Sequence, residues 1–117
     1  MKKKILLLLK GGIKFKIMIM DYLYQEGYEV DAVESVTEVL KRLRRFRHFL
    51  LIVEQDTYEM DCLELFLNAQ DIQSDIRVLF LGSRDQRNKA EIVKLGGIYL
   101  DSPIQTEVLR EAISSLT

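Results

Sequence analysis

The chain has a single cysteine, Cys62, and a single histidine, His48, among its 117 residues. One cysteine excludes an intrachain disulfide and fits a reducing compartment, so a cytoplasmic setting is expected. His48 has no Ser, Cys or acidic partner placed by the sequence, which leaves nucleophilic catalysis without support. No stretch approaches the ~20 apolar residues that a membrane span needs. Lys2-Lys3-Lys4 followed by Ile5–Leu9 imitates a secretory signal, but the apolar run falls short of the roughly 7–15 residues of a signal core. Charge of one sign is also lacking. The net charge of −1 predicts no general attraction to nucleic acid or to an anionic membrane. A phosphate-cradling G-x-G-x-x-G loop is missing; Gly11-Gly12 is the nearest approach, so an unrelated nucleotide enzyme ranks low. Internal repeats, linkers and low-complexity segments are absent as well.

What is present is the composition of one ordinary globular domain spanning residues 1–117, with 48% hydrophobic and 30% charged residues. The charge is unevenly placed. Residues 1–48 carry 11 Lys/Arg against 6 Asp/Glu, whereas residues 49–117 carry 6 against 12. Such asymmetry hints at an interaction face.

The stretch Phe49–Leu65 organises the rest. Its unbroken apolar run, Phe49–Val53, reads as a strand buried on both faces, as in parallel sheets. Glu54 ends the run, and a polar loop follows. Apolar strands are also expected at Ile5–Leu9, Ile76–Leu81 and Ile98–Leu100, and Tyr28–Val33, which alternates, reads as a further strand. Between them fall helices. The first, Ile13 to Glu26, is expected to bury Ile13, Ile17, Met20 and Leu23 or Tyr24, with Gly27 at its C-cap. Ser35 and Glu38 form a capping box for a helix burying Val36, Val39, Leu40 and Leu43. Further helices are expected from about Asp61 to Ala69 or Ile72, from Arg84 to Lys94 before Gly96-Gly97, and after a Thr106 cap. Ser102-Pro103 makes a turn. Alternating strands and helices with short connections imply a doubly wound parallel sheet of order 2-1-3-4-5, covered by helices on both faces.

These residues resemble the receiver domain of two-component response regulators over the whole chain. Lys3-Lys4-Ile5-Leu6-Leu7-Leu8 looks like the first strand of that family, and Glu26-Gly27-Tyr28-Glu29-Val30 like its approach to the second. Met60-Asp61-Cys62-Leu63-Glu64-Leu65 is similar to the family's M-D-G-L-E-L. Tyr99-Leu100-Asp101-Ser102-Pro103 resembles its Y-L-x-K-P, although Gly96–Pro103 is one residue shorter than usual. The resemblance implies a flavodoxin-like fold and a signalling role. It also implies a site with an acidic pair for Mg²⁺, an acceptor aspartate, a Ser/Thr and a Lys. The chain departs from that set throughout. Leu9-Lys10, or Lys10-Gly11 in the alternative register, stands where the acidic pair would be. Glu54 takes the acceptor position, Gly82 that of the Ser/Thr, and Ser102 that of the Lys. Tyr99 matches the family's switch aromatic.

Mg²⁺ needs hard oxygen ligands, and phosphoryl transfer needs cationic groups against the developing charge. Neither is supplied here, so a pseudo-receiver without catalysis, metal or cofactor is expected. Glu54 is expected to pair with Lys10 where the metal would sit, unless both side chains bend to solvent. An alternative is a loop cation site, or a nonstandard phosphoacceptor, built on Asp56 and Asp61. The basic cluster Lys41-Arg42, Arg44-Arg45 and Arg47-His48 reads first as cations at a helix C-terminus. It lacks a recognition motif, so nucleic acid is not expected as a partner. Cys62, at a helix start, reads as a packed thiol. The expected partner is a protein or a fused output domain, with a homodimer among the forms considered. The face around Tyr99 is the expected contact.

Overall fold

The apolar runs become the strands of one parallel sheet. The computed structural model describes residues 2–54, 60–82, 88–101 and 103–116. Five strands, β1 (Lys4–Leu8), β2 (Glu29–Val33), β3 (Leu50–Glu54), β4 (Arg77–Leu81) and β5 (Ile98–Leu100), lie in the order β2-β1-β3-β4-β5. Every neighbouring pair is parallel. Five helices intervene: α1 (Ile13–Gln25), α2 (Val36–Arg45), α3 (Cys62–Ile72), α4 (Lys89–Lys94) and α5 (Thr106–Ser115). The expected fold class and strand order are what the chain adopts.

Side chains alternate across a strand, so each apolar run feeds two cores. Ile5, Leu7, Leu50, Ile52, Leu79 and Leu81 face α1 and α5, where Ile19, Leu23, Leu109 and Ile113 meet them. Leu6, Leu8, Leu51, Val53, Val78 and Phe80 face α2, α3 and α4, packing on Val39, Leu43, Phe66, Ala69 and Ile92. Leu50, Leu51, Ile52 and Val53 are all 0% exposed, which is why that stretch shows no alternation in sequence.

Local signals place several helix ends. The Ser35 hydroxyl accepts the Glu38 N–H at 3.1 Å, the first half of the expected capping box. Val36, Val39 and Leu43 are buried there, with Leu40 packed partly against them. Gly27 follows α1 at φ +86°, a left-handed turn that glycine adopts without strain. Cys62 is buried at the start of α3, as a packed thiol should be.

Two helices depart from expectation. In α1, Leu23 is buried and Met20 packs partly against the core, but Ile13, Ile17 and Tyr24 lie 73%, 50% and 54% exposed. The segment is apolar nearly all round, so it offers two stripes. The sheet selects the one through Phe15, Ile19 and Leu23. The cap of α5 is Gln105 and not Thr106. Thr106 is already helical, and its hydroxyl turns to Met18 Sδ at 3.4 Å. The described part of α4 begins at Lys89; the expected start at Arg84 lies outside the described residues. Among the described residues no helix is long and apolar enough to cross a membrane.

Candidate functional site

Glu54 stands at the carboxyl end of β3, where its strand runs beside β1 through the pair Leu8↔Val53. Its carboxylate reaches the loop that follows β1. The Lys10 N–H donates to Glu54 Oε1 at 2.6 Å, and the Gly11 N–H donates to the same oxygen. Gly12 next caps α1. The carboxylate thus closes on two successive peptide N–H groups just before a helix N-terminus, an arrangement that favours negative charge. These are charge-assisted bonds.

The expected link between positions 10 and 54 therefore exists but runs through the main chain of Lys10. Leu9, the other residue in that register, is buried in the core under α1. Gly11 is needed for room: a Cβ there would lie 2.9 Å from Glu54 Oε2 and 3.0 Å from Phe15 Cδ2. It follows that Glu54→Ala should cost about 1–2 kcal/mol in urea denaturation, less than two fully buried charge-assisted bonds because the site is partly exposed and water can replace the carboxylate. Gly11→Ala should reproduce part of that loss by displacing the carboxylate. Lys10→Met should cost clearly less than Glu54→Ala, since the N–H that the carboxylate accepts survives. A Lys10→Met loss matching that of Glu54→Ala would return the link to the ammonium.

The other expected positions divide. Gly82 follows β4 at φ +65°, with its N–H donating to the Leu100 carbonyl at 2.9 Å. A Ser or Thr would be strained in that left-handed backbone. Asp61 is the N-cap of α3, its carboxylate accepting the Glu64 N–H at 2.9 Å. That use as a cap was missed in sequence, although an acidic residue just before an apolar helix is its signal. Asp56 and Ser102 lie outside the described residues. Tyr99, on the short edge strand β5, is 9% exposed and turns inward, stacked on Phe80 with ring centroids 5.1 Å apart. Nearby, Lys89 Nζ pairs with Asp101 at 3.0 Å. Among the described residues no three His, Cys, Asp or Glu side chains gather to hold a metal ion.

A second constellation lies at the opposite, amino edge of the sheet. His48 is buried in the turn between α2 and β3, with Nδ1 3.0 Å from the Phe46 carbonyl and Nε2 3.2 Å from Asp31 Oδ2. Arg42 Nη1 approaches the other Asp31 oxygen at 3.7 Å. Gln73, the C-cap of α3, clamps the same turn. Its Oε1 accepts the His48 N–H at 3.0 Å, and its Nε2 donates to the His48 carbonyl and to Asp75. Arg47 pairs with Asp75. No partner for His48 was legible in the sequence, because Asp31 and Gln73 are far away along the chain. The sheet order is what brings them together.

No family model matches the chain. Over 93 residues it is 31% identical to the transcriptional regulatory protein GlrR of Escherichia coli K12, and equally to QseF of Escherichia coli O157:H7. The matched part is 78% of this chain and 21% of either relative, so the chain spans about a fifth of the regulators it matches. A CheY-like response regulator receiver domain protein from Methanospirillum hungatei superposes with a TM-score of 0.83 at 20% identity, covering 98% of this chain and 93% of that one. Chemotaxis protein CheY4 of Vibrio cholerae gives 0.77 at 20%, with both chains fully covered. An adenylate cyclase structure from Rhodopirellula baltica also matches, at 0.83 and 22%, covering 99% of this chain and 87% of that one. At such identities the structures speak for the fold alone, and the regulators add the likeness in sequence. The chain therefore has the fold of the CheY-like receiver domains, and over 93 residues it is similar in sequence to part of two transcriptional regulatory proteins.

Proposed function

We propose that the domain is a receiver-like signalling module that works through protein–protein contacts and independently of aspartyl phosphorylation. One observation carries the reading: the carboxylate at the acceptor position, Glu54, is turned onto the Lys10 and Gly11 peptide N–H groups. In the family resembled, that loop end holds the acidic pair for Mg²⁺. Here Oε1 of that carboxylate already takes two peptide donors, and positions 9–11 bring no carboxylate for a hard cation. Gly82, in left-handed backbone, has no hydroxyl for a phosphoryl oxygen. These features support a non-catalytic domain without cofactor.

The partner is a protein, a fused output domain or a second copy. It would meet the face of α4, β5 and α5, where Val93, Leu95 and Val108 are exposed around the edge strand that carries Tyr99. Large apolar side chains left exposed favour a protein contact.

Acetyl phosphate labelling in the presence of Mg²⁺, followed by intact-mass measurement, tests the reading. The expected result is an unchanged mass. A gain of one phosphoryl group would replace the proposal with a phospho-accepting receiver.

A further inference from the structure

We propose that the amino edge of the sheet, opposite Glu54, carries a binding groove for a nucleoside polyphosphate. The groove encloses about 650 Å³, the size of a site for one small ligand. Its cations come from three separate segments: Lys2, Lys3 and Lys4 at the start of β1, Arg47 before β3, and Arg77 opening β4. Only Glu29 and Asp75 oppose these five charges within the groove, and Asp75 is engaged by Arg47. Five cations against two carboxylates leave the recess positively charged, and a chain of phosphates offsets that charge.

Two aromatic rings distinguish this recess from a merely basic surface. Lys3 Nζ sits 4.3 Å from the centre of the Phe49 ring, and Lys4 Nζ sits 4.4 Å from that of Phe46. Phosphates entering the groove draw these ammonium groups inward and uncover the ring faces. Phe46, 41% exposed, is then available for a base to stack on. Phe49 is held from behind by Tyr28, stacked with centroids 6.3 Å apart. The floor is rigid, because buried His48 and Gln73 fix residues 46–49 from both sides. A preformed floor lowers the ordering cost of binding. Cations for phosphates beside an aromatic face for a base are the two halves of nucleotide recognition.

The test titrates the whole chain with ATP in EDTA at about 0.1 M salt. Binding is followed by calorimetry and by backbone amide shifts, and melting curves confirm that each variant is folded. Saturable one-site binding is expected, with shifts centred on residues 46–49 and 77. Arg77→Gln should weaken it about tenfold, as expected when a charged contact is lost. Phe46→Ala should weaken ATP by roughly fivefold to a hundredfold, the range for one lost stacking partner, yet leave inorganic tripolyphosphate unaffected. Arg44→Ala, outside the groove, should change nothing. The proposal fails if ATP does not saturate, or if ATP and tripolyphosphate bind alike and ignore Phe46→Ala. It also fails if a short oligothymidylate binds while ATP cannot compete with it, which would assign the groove to nucleic acid.

Discussion

Val53→Asp is expected to unfold the domain, or to lower its stability by about 5 kcal/mol or more. Domains of this size are stable by only about 5–15 kcal/mol, so the change removes much of the total. Val53 is 0% exposed and sits between Leu8 of β1 and Phe80 of β4. Its side chain belongs to the apolar layer under α2, α3 and α4, where its described neighbours are hydrophobic and offer an introduced carboxylate no charge partner. The acid must then be buried without a partner or forced to take up a proton, and either is costly. Arg44→Ala, on the exposed last turn of α2, should cost about 0.5 kcal/mol or less. Urea denaturation of both variants checks the contrast. Comparable losses would remove β3 from the sheet interior.

Gly97→Ala is the second large effect expected. A Cβ at Gly97 would lie 2.3 Å from Ile92 Cγ2, 3.2 Å from the Ile92 carbonyl and 3.3 Å from Phe66 Cε2. Ile92 is 0% exposed and Phe66 1%, so neither has solvent to move into. Overpacking of this kind costs about 3 kcal/mol, at the upper end of its usual range, and should lower Tm by roughly 10 °C. The same substitution at Gly12 should cost under about 1 kcal/mol, because nothing lies within 4 Å of its Cβ and only a cap preference is lost. The clash has a specific partner. Combining Gly97→Ala with Ile92→Ala should cost less than the two single losses added together. Additive losses would place the strain elsewhere.

Gly96 and Gly97 also show where sequence reading stops. The pair reads correctly as the end of a helix. Which glycine serves conformation and which serves space depends on the neighbours. Gly96 takes φ +100°, whereas Gly97 yields its Cβ volume to Ile92. The inner strands were legible because buried parallel strands leave unbroken apolar runs, β2 because its sequence alternates, and Ser35 because capping acts over three residues. The face of α1 was not legible, since Ile13, Ile17 and Tyr24 form as good a stripe as Phe15, Ile19 and Leu23 until the sheet chooses. At the site, the acidic strand end at Glu54 was legible but its partner was not. Matching charge to charge points to the Lys10 ammonium, and the path of the loop presents the peptide N–H groups. The amino-edge groove was divided among three stretches. Lys2–Lys4 read as a false signal start and Arg47 as a helix-end cation. Only the order β1-β3-β4 joins them to Arg77.

The amide resonances of Lys10 and Gly11 give the most direct view of whether Glu54 fills the place of the metal. They should shift strongly in Glu54→Gln, because the charged acceptor is lost. In the unaltered domain they should stay in place when millimolar Mg²⁺ and acetyl phosphate are added. A saturable shift of these two amides with Mg²⁺, accompanied by a gain of one phosphoryl group in mass, would contradict a phosphorylation-independent domain.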